Sequence, residues 1–145
     1  MEKINPENKC SHLFSKSNTS ISITEMFEMQ KHLQKELAKR GKGIDFEKAT
    51  FKEKIDAIST NMTNLTLEFG ELLERLPHKR WKTYTPEQLN GWLSEEHRLE
   101  TCYELIDMWC FFLNIGLCLD IDGQMFMDLY VTKNRENLAR QDRGY

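Results

Sequence analysis

Proline and glycine are scarce in this sequence, with three and seven residues among 145. The sequence also lacks convincing runs in which apolar and polar residues alternate between turn signals, which is the pattern of half-buried strands. Both absences argue against a fold built on β-sheets. The sequence therefore predicts an all-α protein.

The sequence also has neither a large excess of one charge nor a long apolar run. Its formal net charge is −3 and its pI about 5.8, whereas a broad grip on a nucleic-acid backbone needs a strongly basic face. No apolar run approaches the roughly 20 residues of a membrane span, and residues 1–20 lack the apolar core of a signal peptide. We therefore expect a cytoplasmic protein with no nucleic-acid or membrane partner.

The four cysteines include no Cys-x-x-Cys pair. Cys102, Cys110 and Cys118 recur every eight residues within an apolar helical pattern, and Cys10 stands apart near the N-terminus. This distribution favours buried thiols over metal ligands.

Polar composition and helix-start signals divide the chain into a loose N-terminal arm, residues 1–20, and one domain, residues 21–145. Ser22 and Glu25 have the spacing of a capping box, so the first helix begins there and runs to about Arg40. A second, long helix carries apolar residues at alternating intervals of three and four, a pattern that we call the heptad seam. The seam comprises Ile55, Ile58, Met62, Leu65, Phe69, Leu72 and Leu76.

Further helix signals follow in the second half of the chain. Thr85, Pro86 and Gln88 supply an N-cap, an N1 proline and a capping-box partner. Helical periodicity then extends from about residue 94 to residue 119, and Gly123 precedes a final helix through Arg140. These signals predict a bundle of four or five helices, and the length of the heptad seam predicts a homodimer.

Acidic residues form two stripes beside the apolar positions. Glu68 and Glu71 lie three apart on the second helix, and Glu100, Glu104 and Asp107 follow one face of a later helix. If the stripes meet at the edge of a core, their repulsion favours a hard divalent cation, Mg²⁺ or Mn²⁺, and two such ions can clamp a polyphosphate. The alternative, that both stripes are solvated helix faces, stays open on spacing alone. A di-iron site would need Glu-x-x-His pairs, and no histidine has a glutamate three residues before it.

These acids resemble the signature of a known family, the all-α NTP pyrophosphatases, which have Glu-x-x-Glu on one helix and Glu-x-x-Asp on a later one. Here the motifs read Glu68-Phe-Gly-Glu71 and Glu104-Leu-Ile-Asp107. Residues 26–33, Arg80-Trp81-Lys82 and residues 133–145 make the sequence similar to the dimeric dUTPase branch, which includes phage dCTPase-dUTPases. The resemblance covers roughly residues 22–145.

The resemblance implies a role for each of the four acids. Glu68, Glu71, Glu104 and Asp107 would be magnesium ligands, with Mn²⁺ as a possible substitute, and Glu68 or Glu71 would also be the base for the attacking water. The chain departs from the pattern at Cys110-Phe111, where relatives often have His-Phe. Any role of that histidine is therefore not carried over.

Several residues outside the acids are candidates for binding a nucleotide. Lys133, Asn137 and Arg140 share one helical stripe, where the cations can hold phosphate oxygens and the amide can meet the sugar or base. Basic residues near a helix C-terminus can instead complement its dipole, and the resemblance favours the nucleotide. The chain ends on Tyr145, and a terminal segment that closes over the site is expected to include it.

Two further candidates each have a structural alternative. Trp81, beside Lys82, is either a platform for base stacking with a phosphate contact or a loop aromatic packed on the core. Gln30 is the one polar member of the packing face of the first helix, so either a neighbouring helix or the edge of a pyrimidine satisfies its amide.

The expected function is magnesium-dependent hydrolysis of deoxypyrimidine nucleoside triphosphates, dUTP and dCTP, to the monophosphate and pyrophosphate. One alternative is a MazG-like pyrophosphohydrolase of other nucleotides, including purines. The other is a helical interaction protein without catalysis, which would bind a partner through the heptad seam.

Overall fold

The structure, a computed structural model, describes Cys10 and residues 14–92 and 94–144. Those residues form five helices and no strand, which confirms the all-α prediction. The helices are α1 (Ile23–Ala38), α2 (Phe51–Glu74), α3 (Pro86–Trp92), α4 (Glu95–Cys118) and α5 (Gly123–Asp142). Most of the predicted N-terminal arm lies outside the described residues, so its looseness stays a prediction.

Two of the predicted helix starts are confirmed in atomic detail. The side chain of Ser22 accepts a hydrogen bond from the Glu25 main-chain N–H at 3.2 Å, and the Glu25 carboxylate accepts from the Ser22 N–H at 2.7 Å. Thr85 and Gln88 form the same reciprocal pair at the start of α3, at 3.2 and 2.9 Å. Each pair satisfies main-chain donors that a helix leaves unpaired at its first turn.

The chain divides into two compact units, and α2 and α4 each contribute residues to both. The first unit comprises the described part of Met1–Asn18 together with Thr60–Phe112, and the second comprises Thr19–Ser59 with the described part of Leu113–Tyr145. In the second unit α1 packs against α5, and the rings of Phe27 and Phe126 lie 5.6 Å apart between centroids.

The first residues of α1 and α5 approach each other closely because Gly123 has no side chain. A Cβ built on Gly123 would lie 2.4 Å from Cα and 2.8 Å from the main-chain nitrogen of Thr24. Main-chain atoms of a capped helix cannot give way as the end of a flexible side chain can. Glycine at this position therefore permits the contact between the two helices.

Gly123→Ala is expected to destabilise the protein by about 1–3 kcal/mol, because the added methyl group overlaps the α1 backbone. Thermal unfolding followed by circular dichroism measures this as a fall in Tm of several degrees. Gly70→Ala is the matched control, since a Cβ there meets nothing within 4 Å and alanine favours the α2 helix. Equal Tm values for the two variants would show that the α1–α5 contact is looser than described.

One helix, α4, is long and apolar enough to meet the length and composition criteria for a membrane span. The expectation that no apolar stretch approaches such a span therefore needs correction. Its sequence nevertheless includes Glu104 and Asp107, and an acidic side chain at the centre of a membrane helix costs about 2.5–3.5 kcal/mol. Core helices meet the same criteria, and α4 has buried side chains in both units.

The prediction of buried thiols is confirmed for Cys118 and is wrong for Cys102. Cys118 is buried and Cys10 and Cys110 are half-buried, whereas Cys102 is exposed. A spacing of eight residues turns a side chain by about 80° around a helix of 3.6 residues per turn. The three cysteines of α4 therefore point in different directions, although their recurrence looks regular in the sequence.

Candidate active site

Three of the four predicted metal ligands meet in the first unit. Glu68 and Glu71 of α2 and Glu104 of α4 each offer a carboxylate oxygen, and these oxygens all lie within 4.8 Å of one another. We call these three residues the acidic cluster. Spacing of three residues places Glu68 and Glu71 on one side of α2, and α4 brings in the buried Glu104, which is 7% exposed.

Asp107, the fourth predicted ligand, lies one helical turn after Glu104 and is exposed. Its carboxylate is not part of the 4.8 Å cluster, but its charge acts on the same acids. Although the residue as a whole is exposed, partial burial of its carboxylate raises the pKa of Asp107, and the charges of Glu104 and Glu71 raise it further. Burial likewise raises the pKa of Glu68, with added repulsion from Glu71, Asp107 and Glu104.

The cluster has the donor set and the electrostatics of a site for a hard divalent cation. All of its donors are carboxylate oxygens, which Mg²⁺ and Mn²⁺ prefer. The pKa values of Glu68 and Asp107 are raised first by burial and then by repulsion from the neighbouring acids, and a bound cation would relieve that repulsion. Glu68, Glu71 and Glu104 could hold such an ion, with Asp107 beside them.

Arg75, a positively charged side chain that the sequence patterns did not single out, is part of this site. Nη2 of Arg75 lies 2.5 Å from Oε1 of Glu104, and the two side chains are 15% and 9% exposed. Arg75 follows Glu71 by four residues and Glu68 by seven, so helical spacing was the signal that could have found it. Nε2 of His97 donates to the main-chain oxygen of Arg75 at 2.7 Å and ties the end of α2 to α4.

Glu100, which shares the acidic stripe of α4, has a different environment. It is 3% exposed and accepts a hydrogen bond from the main-chain N–H of Cys10 at 3.2 Å. It is not among the carboxylates that lie within 4.8 Å of one another. Glu100 therefore helps to hold Cys10, a role that its spacing did not predict.

The predicted basic stripe lies on α5, in the second unit. Lys133 and Asn137 are exposed, whereas Arg140 is half-buried and its Nε donates to the Glu136 carboxylate at 3.2 Å. The four-residue spacing of Glu136 and Arg140 stabilises the helix itself. Tyr145, the remaining residue predicted in this stretch, lies outside the described residues.

The loop between α2 and α3 carries two further candidates. Trp81 is 83% exposed, so the alternative that it packs on the core is wrong. Nζ of Lys82 lies 5.7 Å from the centre of the Tyr84 ring, and that ring meets Trp92 edge-on at 4.8 Å. An exposed indole beside a lysine remains able to stack on a base while the lysine contacts a phosphate.

Gln30 lies in the second unit and is 6% exposed. Its Nε2 donates to Oδ1 of Asn114 on α4 at 2.8 Å, and Asn114 is 2% exposed. The protein therefore satisfies the amide nitrogen of Gln30, as the structural alternative expected. Recognition of a base by the same amide stays a prediction.

Comparison with known proteins agrees with the motifs of this site. A family model described as dUTPase matches residues 22–123, which include Gln30, Arg75 and all four predicted metal ligands. The dCTP pyrophosphatase of Enterobacteria phage LZ5 is 49% identical over 53 residues, which are 37% of this chain and 31% of the relative. The dCTP pyrophosphatase of Enterobacteria phage T4 is 29% identical over 102 residues, which are 65% of this chain and 60% of the relative.

The chain thus spans less than two thirds of the length of each of these relatives. No solved structure gives a significant match. The match to the family model ends before Lys133, so it covers the acidic motifs and leaves the basic stripe of α5 outside.

Proposed function

Because the chain belongs to the dUTPase family, we propose that it is a magnesium-dependent enzyme that hydrolyses dUTP and dCTP to the monophosphate and pyrophosphate. The observation that carries this proposal is the meeting of three carboxylate oxygens within 4.8 Å. The names of the two phage relatives, both dCTP pyrophosphatases, support a deoxypyrimidine substrate. We place the reaction in the cytoplasm.

In the proposed reaction, water attacks the α phosphorus of the triphosphate, and the anhydride bond between the α and β phosphates breaks. Magnesium, when bound by the acidic cluster and Asp107, supplies positive charge to the phosphate oxygens and acidifies water. The carboxylate of Glu68 or Glu71 accepts the proton that the attacking water loses. Pyrophosphate leaves with the bridging oxygen, and the nucleoside keeps the α phosphate.

The nucleotide itself is assigned to the remaining candidates. Lys133 and Arg140 bind phosphate oxygens, Arg140 after exchanging its bond to Glu136, and Asn137 binds the sugar or base. Trp81 stacks on the base and Lys82 contacts a phosphate. Tyr145, which lies outside the described residues, is kept as a further candidate contact to the nucleotide. These roles are proposed from residue chemistry and family resemblance, and each can be tested by substitution of the residue.

A panel of deoxynucleoside triphosphates tests the proposed function. Pyrophosphate release is measured for dUTP, dCTP, dTTP, dATP and dGTP with Mg²⁺, and again with a chelator. We expect hydrolysis of dUTP and dCTP that the chelator abolishes. Preference for purines would favour the MazG-like alternative, and no hydrolysis of any substrate would favour the interaction protein.

We also propose that the enzyme is a homodimer formed through the heptad seam. Four seam residues expose large apolar side chains, three of them on α2 and Leu76 two residues after its end: Ile55 is 46% exposed, Met62 57%, Phe69 53% and Leu76 41%. The seven-residue spacing of Ile55, Met62 and Phe69 places these three on one stripe of α2, and an exposed apolar stripe on a single copy favours association with a second.

Sedimentation equilibrium at micromolar concentration is expected to give twice the mass of the chain. Met62→Lys should shift the protein towards monomer, because it puts a charge into the middle of the seam. Leu67→Lys is the matched control: Leu67 is 62% exposed on the same helix, but lies about 140° around the helix from Met62. A monomeric wild type, or equal effects of both substitutions, would contradict the seam dimer.

A further inference from the structure

Arg75 is the one positively charged side chain that the described structure pairs with the acidic cluster. Its contact with Glu104 is nearly buried, at 15% and 9% side-chain exposure. Nη2 of Arg75 and Oε1 of Glu104 lie 2.5 Å apart, and two unit charges that close attract strongly when little water separates them. In the absence of a metal, Arg75 therefore offsets part of the negative charge that the acids bring together.

The ion pair uses only part of the arginine fork. Nη2 contacts Glu104, whereas Nη1 is buried and makes no hydrogen bond with any described residue. A bidentate pair, with two parallel N–H···O bonds, would hold the carboxylate more firmly. A buried donor without an acceptor also costs about 1–3 kcal/mol. The contact is thus incomplete, and a competing cation can displace it more easily than a full bidentate pair.

Glu104 is both the partner of Arg75 and a donor of the acidic cluster. We propose that Arg75 is the resident counter-cation of the cluster, which holds Glu104 before a divalent cation binds and competes with that cation for the same carboxylate. This inference rests on the proposed function, because it takes the acidic cluster as the metal site. It assigns Arg75 a role in setting metal affinity, through Glu104.

Binding of Mn²⁺ without nucleotide tests this role directly. Free Mn²⁺ is counted by electron paramagnetic resonance during titration of the wild type, Arg75→Gln and Arg75→Lys. Arg75→Gln should bind Mn²⁺ about tenfold more tightly, because it removes a positive charge next to a ligand oxygen. Arg75→Lys keeps the charge and should stay near the wild-type affinity.

Arg98→Gln is the matched control, because Arg98 is an exposed arginine of α4 in the same unit. Its removal makes the same change in net charge and should leave Mn²⁺ affinity unchanged. Equal or weaker Mn²⁺ binding by Arg75→Gln would overturn the counter-cation role alone. A wild type that binds no Mn²⁺ would instead overturn the metal site of the proposed function.

Thermal unfolding gives a second measurement, which also tests the proposal if Arg75→Gln does not fold without metal. Removal of one partner of a buried ion pair leaves the other charge uncompensated, so Arg75→Gln should have a lower Tm than the wild type in chelator. Added Mn²⁺ should raise the Tm of Arg75→Gln more than that of the wild type, because a ligand stabilises the folded protein more when it binds more tightly. If Arg75→Gln shows no transition in chelator, millimolar Mn²⁺ must restore one, and failure to do so would overturn the role.

Discussion

Replacement of Glu71 by Gln, or of Asp107 by Asn, is expected to lower hydrolysis of dUTP and dCTP by about a hundredfold or more. Each change exchanges a carboxylate for an amide of the same shape and removes one negative charge from the proposed metal site. Both positions are exposed, so the effect on the free energy of unfolding should be within about 0.5 kcal/mol. Steady-state kinetics and circular dichroism measure the two effects separately.

Glu74→Gln provides the matched control for these two variants. Glu74 is an exposed glutamate of α2, three residues after Glu71, and is not part of the acidic cluster. It should keep wild-type turnover and wild-type Mn²⁺ affinity, whereas Glu71→Gln and Asp107→Asn bind Mn²⁺ more weakly. Near wild-type activity of either acidic-site variant, in a folded protein, would remove the metal-site assignment.

The helices were predictable from local signals because each start is fixed by residues three apart. The capping boxes at Ser22 and Thr85 were predicted correctly from the sequence. The start of α2 uses the same device, since Thr50 and Glu53 bond reciprocally at 3.3 and 2.7 Å. Such pairs need no knowledge of the rest of the fold.

The candidate site was only partly predictable because it depends on contacts between distant helices. Spacing shows that Glu68 and Glu71 share one side of α2, but only the packed structure shows that Glu104 meets them. The pairing of Arg75 with Glu104 spans 29 residues, so spacing puts Arg75 on the side of Glu68 and Glu71 but does not show that it contacts Glu104. The burial of Glu100 and its hydrogen bond to Cys10 were likewise not predictable from the sequence, since an acidic stripe is normally solvated.

The predicted recognition of the base by Gln30 has to accommodate two bases of opposite polarity. Uracil presents O4 as an acceptor and N3–H as a donor, whereas cytosine presents N4–H₂ as a donor and N3 as an acceptor. In the described arrangement Gln30 donates to Asn114. If both amides turn over together, Asn114 donates to Gln30 instead, and the bond between them survives. On the prediction that Gln30 reads the base, such an exchange would let it meet either polarity.

Gln30→Leu is expected to lower kcat/KM for dUTP and dCTP by roughly ten- to a hundredfold, since one lost hydrogen bond to a base is worth about 1–3 kcal/mol. Mn²⁺ binding should persist, because the acids are unchanged. The same substitution leaves the Asn114 oxygen without its 2.8 Å bond, so stability should fall as well.

The double variant Gln30→Leu, Asn114→Leu separates recognition of the base from support of the fold. Replacing both partners of a buried hydrogen bond by apolar groups of similar size can be nearly neutral for stability. We therefore expect Tm to recover towards the wild type while kcat/KM for both substrates stays low. Recovery of kinetics together with Tm would show that Gln30 serves the packing of α1 on α4 and does not read the pyrimidine.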